Sequence, residues 1–219
     1  TLPSPTLCLV TNRASRSEAA LEAAVVAAVQ GGVDMIQLRK KDLPGRALLD
    51  VARRLKQVTE GTALLIINER VDVALACEAD GVQLGEEGLP VPEVRRLLGN
   101  HRLIGRSVHS VEAAMHAQCE GADFLIVGAV FTTESHPGAQ PAGVTLLSKV
   151  AEHVAIPFLG IGGITHQNVS QVMSAGASGV AVISALSSAS SPQEAAAALK
   201  QQMSSRSPAP TGGRGIDGG

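Results

Sequence analysis

The sequence predicts a single (β/α)₈ barrel, an α/β fold built on one continuous parallel sheet. Three features point there. Eight short runs rich in Val, Ile and Leu recur along the chain, separated by longer amphipathic stretches. The runs are apolar throughout rather than alternating, which implies burial on both faces, and helix-length connections imply parallel pairing. Polar residues recur at the C-terminal ends of these runs, where a barrel carries its chemistry. An open doubly wound sheet is the alternative architecture for the same pattern.

The strand candidates are residues 7–11, 34–39, 63–68, 81–85, 103–107, 124–130, 157–163 and 179–186. The first helix reads SEAALEAAVVAAVQGG, with Ser17 to cap it, Glu18 in its first turn and glycines at its close. SVEAAMHAQCEGA repeats the design, with Ser110 as N-cap and Gly121 as stop. SPQEAAAALKQQM, from Ser191, closes the series. At the strand ends stand Gln37 and Arg39 (second), Asn68 (third), Gln83 (fourth) and Ser107 (fifth). Packing does not call for polar groups there.

With 219 residues, one domain of this size buries about 70% of the surface its unfolded chain exposes, so it needs no covalent staple. The barrel is expected over residues 1–203. Residues 204–219, rich in Ser, Pro and Gly, are expected to be a disordered tail. Three Phe and no Trp or Tyr argue against a binder that stacks nucleic-acid bases, and a net charge of −2 supplies no field for phosphate backbones or anionic membranes. Cys8, Cys77 and Cys119 lack metal-ligand spacing and read as free thiols in a reducing compartment. No apolar run reaches the ~18 residues of a membrane span, and no leader opens the sequence, so the cytoplasm is the expected location. Oligomeric state is left open, a homo-oligomer included.

The seventh run ends Gly160-Ile161-Gly162-Gly163-Ile164 before Thr165 and a helical stretch. Glycines there let a phosphate approach the backbone, and the amides opening a helix offer partial positive charge. The eighth run ends Ala181-Val182-Ile183-Ser184, adding amides and a hydroxyl. Loops seven and eight are the recurrent phosphate site of this fold. We therefore expect a phosphate at Gly162, Gly163, Ile183 and Ser184; glycines required by packing alone are the competing explanation.

The blocks Gln37-Leu38-Arg39-Lys40-Lys41, Ile67-Asn68-Glu69, Gly81-Val82-Gln83-Leu84-Gly85, Ser107-Val108-His109, Gly121-Ala122-Asp123-Phe124 and Gly160-Ile161-Gly162-Gly163-Ile164 resemble, in order and spacing, the thiamine phosphate synthase and thiazole tautomerase family. The likeness runs from about Leu7 to Lys200. It implies a barrel that binds a small phosphorylated thiazole. The synthase branch joins hydroxymethylpyrimidine diphosphate to thiazole phosphate with Mg²⁺; the tautomerase branch isomerises a carboxythiazole phosphate without metal. By this resemblance Gln37, Arg39 and Lys41 grip the diphosphate, and Asn68, Gln83, Ser107, Thr133 and Ser135 complete the substrate site. Alternation along the strand turns Gln37 and Arg39 toward the mouth, while a solvated turn also accounts for Lys40 and Lys41.

The chain departs from the synthase pattern at three points. The Asn-Asp pair reads Asn68-Glu69, a second Asp falls on Gly88, and a Lys after strand six is His136. Mg²⁺ takes oxygen ligands in rigid geometry, and glycine supplies no side-chain ligand. Glu69 is then the one metal ligand left to a synthase, with Glu86 or Glu87 compensating only through a shifted loop. These losses favour the tautomerase reading narrowly, with no cofactor and with His136 and His109 as candidate proton-transfer groups. That branch has its own gap, because Ala129 stands where it carries a histidine. The synthase is the first alternative, and a non-catalytic ligand-binding or regulatory barrel the second.

Overall fold

The computed structural model describes residues 2–11, 17–133 and 140–204. Eight parallel strands, β1 (Thr6–Val10), β2 (Met35–Leu38), β3 (Leu64–Asn68), β4 (Gly81–Leu84), β5 (Leu103–Val108), β6 (Phe124–Gly128), β7 (Phe158–Ile161) and β8 (Gly179–Val182), close into a barrel, with β8 pairing back onto β1. The helices are α1 (Glu18–Gln30), α2 (Gly45–Thr59), α3 (Val71–Ala76), α4 (Val91–Leu98), α5 (Val111–Cys119), α6 (Gly143–His153), α7 (Val169–Ser174), α8 (Ser184–Ser187) and α9 (Pro192–Ser204). Side-chain alternation divides the core into two. Cys8, Val10, Met35, Ile66, Phe124, Ile126, Leu159 and Ala181 fill the barrel, and the larger cluster lies between sheet and helices.

The capping residues act as their chemistry requires. Ser17 Oγ accepts from the Ala20 amide and Ser110 Oγ from the Ala113 amide, satisfying donors that a helix start leaves free. Gly121 turns left-handed (φ 90°) after α5; after α1 it is Gly32 (φ 97°), not Gly31, that makes this turn.

At the N-terminal end of the barrel one device recurs. Asp34, Asp80 and Asp123 each stand just before an even-numbered strand. Each accepts at 2.7 Å from an amide of the preceding strand: Leu7, Leu65 and Ile104 respectively. Each also holds a cation from a surrounding helix, Lys200 at 2.8 Å, Lys56 at 2.8 Å and Arg95 at 2.6 Å. The fourth equivalent position, before β8, is Ser178, whose amide donates to the Phe158 carbonyl.

The structure ends the last three expected strands two to four residues early. β6 stops at Gly128, and β7 stops at Ile161 because Gly162 (φ 104°) and Gly163 (φ 62°) leave extended backbone. β8 stops at Val182, after which Ser184–Ser187 form the short extra helix α8. Ser204, assigned to the tail from sequence, is the last residue of α9, and residues 205–219 lie outside the described residues. Among the described residues no helix is long and apolar enough to cross a membrane.

Candidate functional site

The C-terminal ends of the strands surround two adjoining cavities. The first, about 200 Å³, is lined by Gln37, Arg39, Lys41, Asn68, Glu69, Glu86 and Ser107. The second, about 260 Å³, is lined by Ala129, Thr133, Gly162, Gly163 and Ser184. His109, Gly128, Ile161 and Ile183 line both, so the two spaces share one wall.

In the first cavity a chain of polar contacts links the ends of two strands, β2 and β3. Gln37 Nε2 donates to Asn68 Oδ1 (2.9 Å), Asn68 Nδ2 donates to Glu69 Oε2 (3.3 Å), and Lys41 Nζ lies 3.7 Å from the same oxygen. Arg39 is braced through its backbone, its amide donating to the buried Thr11 Oγ1 at 2.9 Å. Glu69 holds a left-handed backbone (φ 60°), a strained choice for a residue with a side chain and a feature that clusters at functional sites. Its amide is fixed on the Gln83 carbonyl at 2.9 Å. Lys40 does not line this cavity; it lines a neighbouring cleft beside Arg70 that shares Lys41, Asn68 and Glu69 with it.

In the second cavity the glycine turn is closed by Asn168. Its Oδ1 accepts from the Thr165 amide (2.8 Å) and its Nδ2 donates to the Gly163 carbonyl (3.0 Å). The helix expected directly after the turn is therefore delayed to Val169, and none of its residues lines the cavity. The helix start that does is α8, whose first residue, Ser184, lines it; the opening amides of a helix have no partner within it. Packing also demands glycine here. A Cβ at 162 would lie 2.8 Å from Ala129 Cα, and one at 163 would lie 2.3 Å from the Thr132 carbonyl.

The sequence-derived candidates fare unequally. Gln37, Arg39, Lys41, Asn68, Glu69 and Ser107 meet in the first cavity, and Thr133, Gly162, Gly163, Ile183 and Ser184 in the second. Gln83 reaches neither surface: it is 1% exposed, inside the barrel, and touches Ser107 rather than open space. Ser135 and His136 lie outside the described residues. His109 is the one titratable side chain among the described residues lining the second cavity, and Ala129 presents only a methyl group there.

Sequence reasoning missed how the loop after β4 is held. Arg106 donates to the carbonyls of Glu86 and Leu89, each at 2.8 Å, and Glu86 Oε2 lies 2.5 Å from His109 Nδ1. This bears on the metal that a synthase would need. Gly88 supplies no side-chain donor and its amide closes a turn onto the Gly85 carbonyl (2.9 Å). Glu86 lines the same cavity as Glu69 with no loop shift, contrary to the expectation from sequence. Two carboxylates from consecutive strand ends suit Mg²⁺, whose sites commonly combine one or two protein carboxylates with substrate phosphate oxygens. Among the described residues no cluster of three or more acidic, His or Cys side chains forms a metal centre on its own.

The profile of the family described as thiamine monophosphate synthase matches residues 7–186. A thiamine-phosphate synthase from Roseiflexus castenholzii is 46% identical over 193 residues, 87% of this chain and 85% of that protein. Another, from Methanoculleus marisnigri, is 49% identical over 161 residues, 73% of this chain and 76% of that one. The solved thiamine phosphate pyrophosphorylase from Pyrococcus furiosus is 38% identical and superposes with a TM-score of 0.83, covering 90% of this chain and 95% of that one.

Proposed function

This chain belongs to the thiamine monophosphate synthase family and is an enzyme of thiamine biosynthesis, and from that premise we propose that it is a thiamine phosphate synthase. It joins hydroxymethylpyrimidine diphosphate to thiazole phosphate and releases pyrophosphate. The observation that carries this reading is the pair of cavities with a common wall. An isomerase needs room for one phosphorylated molecule; a transferase needs two, held with their reacting atoms side by side.

Gln37, Arg39 and Lys41 hold the diphosphate, and Gly162, Gly163 and Ser184 receive the thiazole phosphate. The bond from the pyrimidine methylene carbon to the diphosphate oxygen breaks, and its electron pair leaves with the diphosphate. The thiazole nitrogen lone pair then forms the new carbon–nitrogen bond at that methylene. Arg39 and Lys41 offset the charge that develops on the departing group, as fixed cations at a low-dielectric site do. Apart from His109, the shared wall (Gly128, Ile161 and Ile183) is apolar or small and limits the water that can compete for the reactive carbon. Mg²⁺, when bound, neutralises diphosphate charge, and Glu69 and Glu86 are the carboxylates available to hold it.

The tautomerase reading, narrowly preferred on sequence because of Glu69, Gly88 and His136, is displaced. Glu86 supplies a carboxylate where Gly88 cannot, the second cavity lacks a base at Ala129, and the similar proteins are called synthases. One assay series tests the choice. Purified protein given both substrates with Mg²⁺ is expected to yield thiamine phosphate and pyrophosphate, and EDTA to stop it. Turnover of carboxythiazole phosphate alone, unaffected by EDTA and without coupling activity, refutes the synthase reading.

A further inference from the structure

Gln83 is buried within the barrel (1% exposed), yet it is not there to fill space. Its Nε2 donates to Ser107 Oγ at 3.0 Å, while its Oε1 has no donor among the described residues. A buried carbonyl without a donor is destabilising, so packing alone would be served better by an apolar side chain of equal length. The barrel also makes room for it. A Cβ at position 105 would come within 2.1 Å of Gln83 Oε1 and 2.3 Å of Phe124 Cζ, so Gly105 is what admits the amide beside that ring.

The amide's orientation fixes the polarity of the serine. Nε2 also lies 3.5 Å from the Leu84 carbonyl, a group that can only accept, so this end of the amide is the NH₂. Ser107 Oγ is therefore an acceptor toward Gln83. No described residue takes the Ser107 proton, and Ser107 lines the first cavity. Its hydroxyl is left with one role, donation into that cavity.

We infer that Gln83 is a positioning residue that acts through Ser107, holding its hydroxyl as a hydrogen-bond donor toward an acceptor atom of the substrate in the Arg39 cavity. The inference rests on the reading that a diphosphate-bearing substrate occupies this space. It also reassigns Gln83, which the sequence placed in contact with substrate.

The test is a double-mutant cycle on Gln83→Met and Ser107→Ala. It is read by calorimetric binding of hydroxymethylpyrimidine diphosphate with Mg²⁺, and by kcat and KM for both substrates. Each single variant is expected to weaken diphosphate binding about 10- to 100-fold, the range for a hydrogen bond to a charged or strongly polar group. The double variant is expected to be no weaker than Ser107→Ala within about twofold, because coupled residues are not additive. KM for the thiazole phosphate is expected to stay unchanged. Thermal melting confirms folding, and Gln83→Asn, whose amide is one methylene short of Ser107, repeats the cycle with a polar residue. Multiplicative losses, or wild-type binding in the Gln83 variants, overturn the inference while leaving the synthase reading intact. If the unaltered protein does not bind the diphosphate at all, both fall.

Discussion

Asp34 joins the two ends of the fold: its Oδ2 accepts from the Leu7 amide at 2.7 Å and lies 2.8 Å from Lys200 Nζ on the last helix. Lys200 also donates to the Pro5 carbonyl at 3.0 Å, so one ammonium fastens α9 to the start of β1. Asp80 and Asp123 repeat the arrangement around the same end of the barrel. All of this lies away from the cavities, so it should govern stability and not turnover. Asp80→Ala is expected to lower unfolding free energy by about 1–3 kcal/mol, since it strands the Leu65 amide and the Lys56 ammonium. Urea unfolding should show a lower midpoint with an unchanged slope, and KM for both substrates should match the parent.

The strand-end alternation gives a second prediction. Arg39 lines the first cavity and Lys40 lines a different cleft, although they are neighbours in sequence. Arg39→Ala is expected to reduce kcat/KM by about 100-fold or more, as loss of a charge-assisted contact to a phosphate would. Lys40→Ala is expected to stay within about threefold. Equal, small effects from both would show that the basic stretch is a solvated turn.

The barrel was legible in the sequence because its signal is periodic: eight apolar runs with helix-length spacers leave little choice once parallel pairing is required. Gln37, Arg39, Asn68 and Ser107 were legible because a polar residue ending an apolar strand has no packing role. The loops were not. That Glu86 turns inward depends on Arg106, a residue 20 positions away that reaches across to its carbonyl, and no local pattern encodes that contact. The delay of α7 behind Asn168 has a local cause, yet it left Gly162 and Gly163 with two explanations at once. The collision with Thr132 shows that packing needs glycine at 163 whether or not a phosphate binds there. Gly163→Val therefore perturbs the turn and any phosphate together. Ser184→Ala, which removes only a hydroxyl from the cavity wall, is the cleaner variant.

The three cysteines should divide by burial. Cys8 is fully buried and its thiol is pushed up to about 12, chiefly by desolvation; burial likewise raises Cys77. Cys119 is exposed on α5. At pH 8 a thiol reagent is expected to modify Cys119 rapidly and the other two only on unfolding. The linkage has a definite sign. An unfolded Cys8 ionises near its ordinary 9.0, the folded one near 12, so above pH 9 the unfolded chain holds fewer protons. The neutral buried thiol thus contributes stability fully below pH 9 and loses it as pH climbs toward 12. Cys8→Ala is expected to flatten that alkaline decline in a series of unfolding midpoints.

The last prediction concerns the metal. From sequence, Gly88 and Glu69 argued for activity without Mg²⁺; the placement of Glu86, which lines the same cavity as Glu69, argues for the opposite outcome. Its neighbour Glu87 lines neither cavity. Glu86 is also anchored, since Arg106 grips its carbonyl, and Glu69 is anchored by its amide on the Gln83 carbonyl. Two carboxylates carried on anchored backbone, with the oxygens of a diphosphate, make up the hard-donor set that Mg²⁺ prefers. EDTA is therefore expected to abolish thiamine phosphate formation and added Mg²⁺ to restore it. Glu86→Gln and Glu69→Gln are each expected to weaken Mn²⁺ binding in the presence of pyrophosphate by about tenfold or more, measured by electron paramagnetic resonance, independent of turnover. Glu87→Gln and Gly88→Asp should leave that affinity within about threefold of the parent. If Gly88→Asp instead tightens Mn²⁺ binding strongly while Glu86→Gln changes nothing, Glu86 is no ligand, and its place beside His109 Nδ1 at 2.5 Å is its whole role.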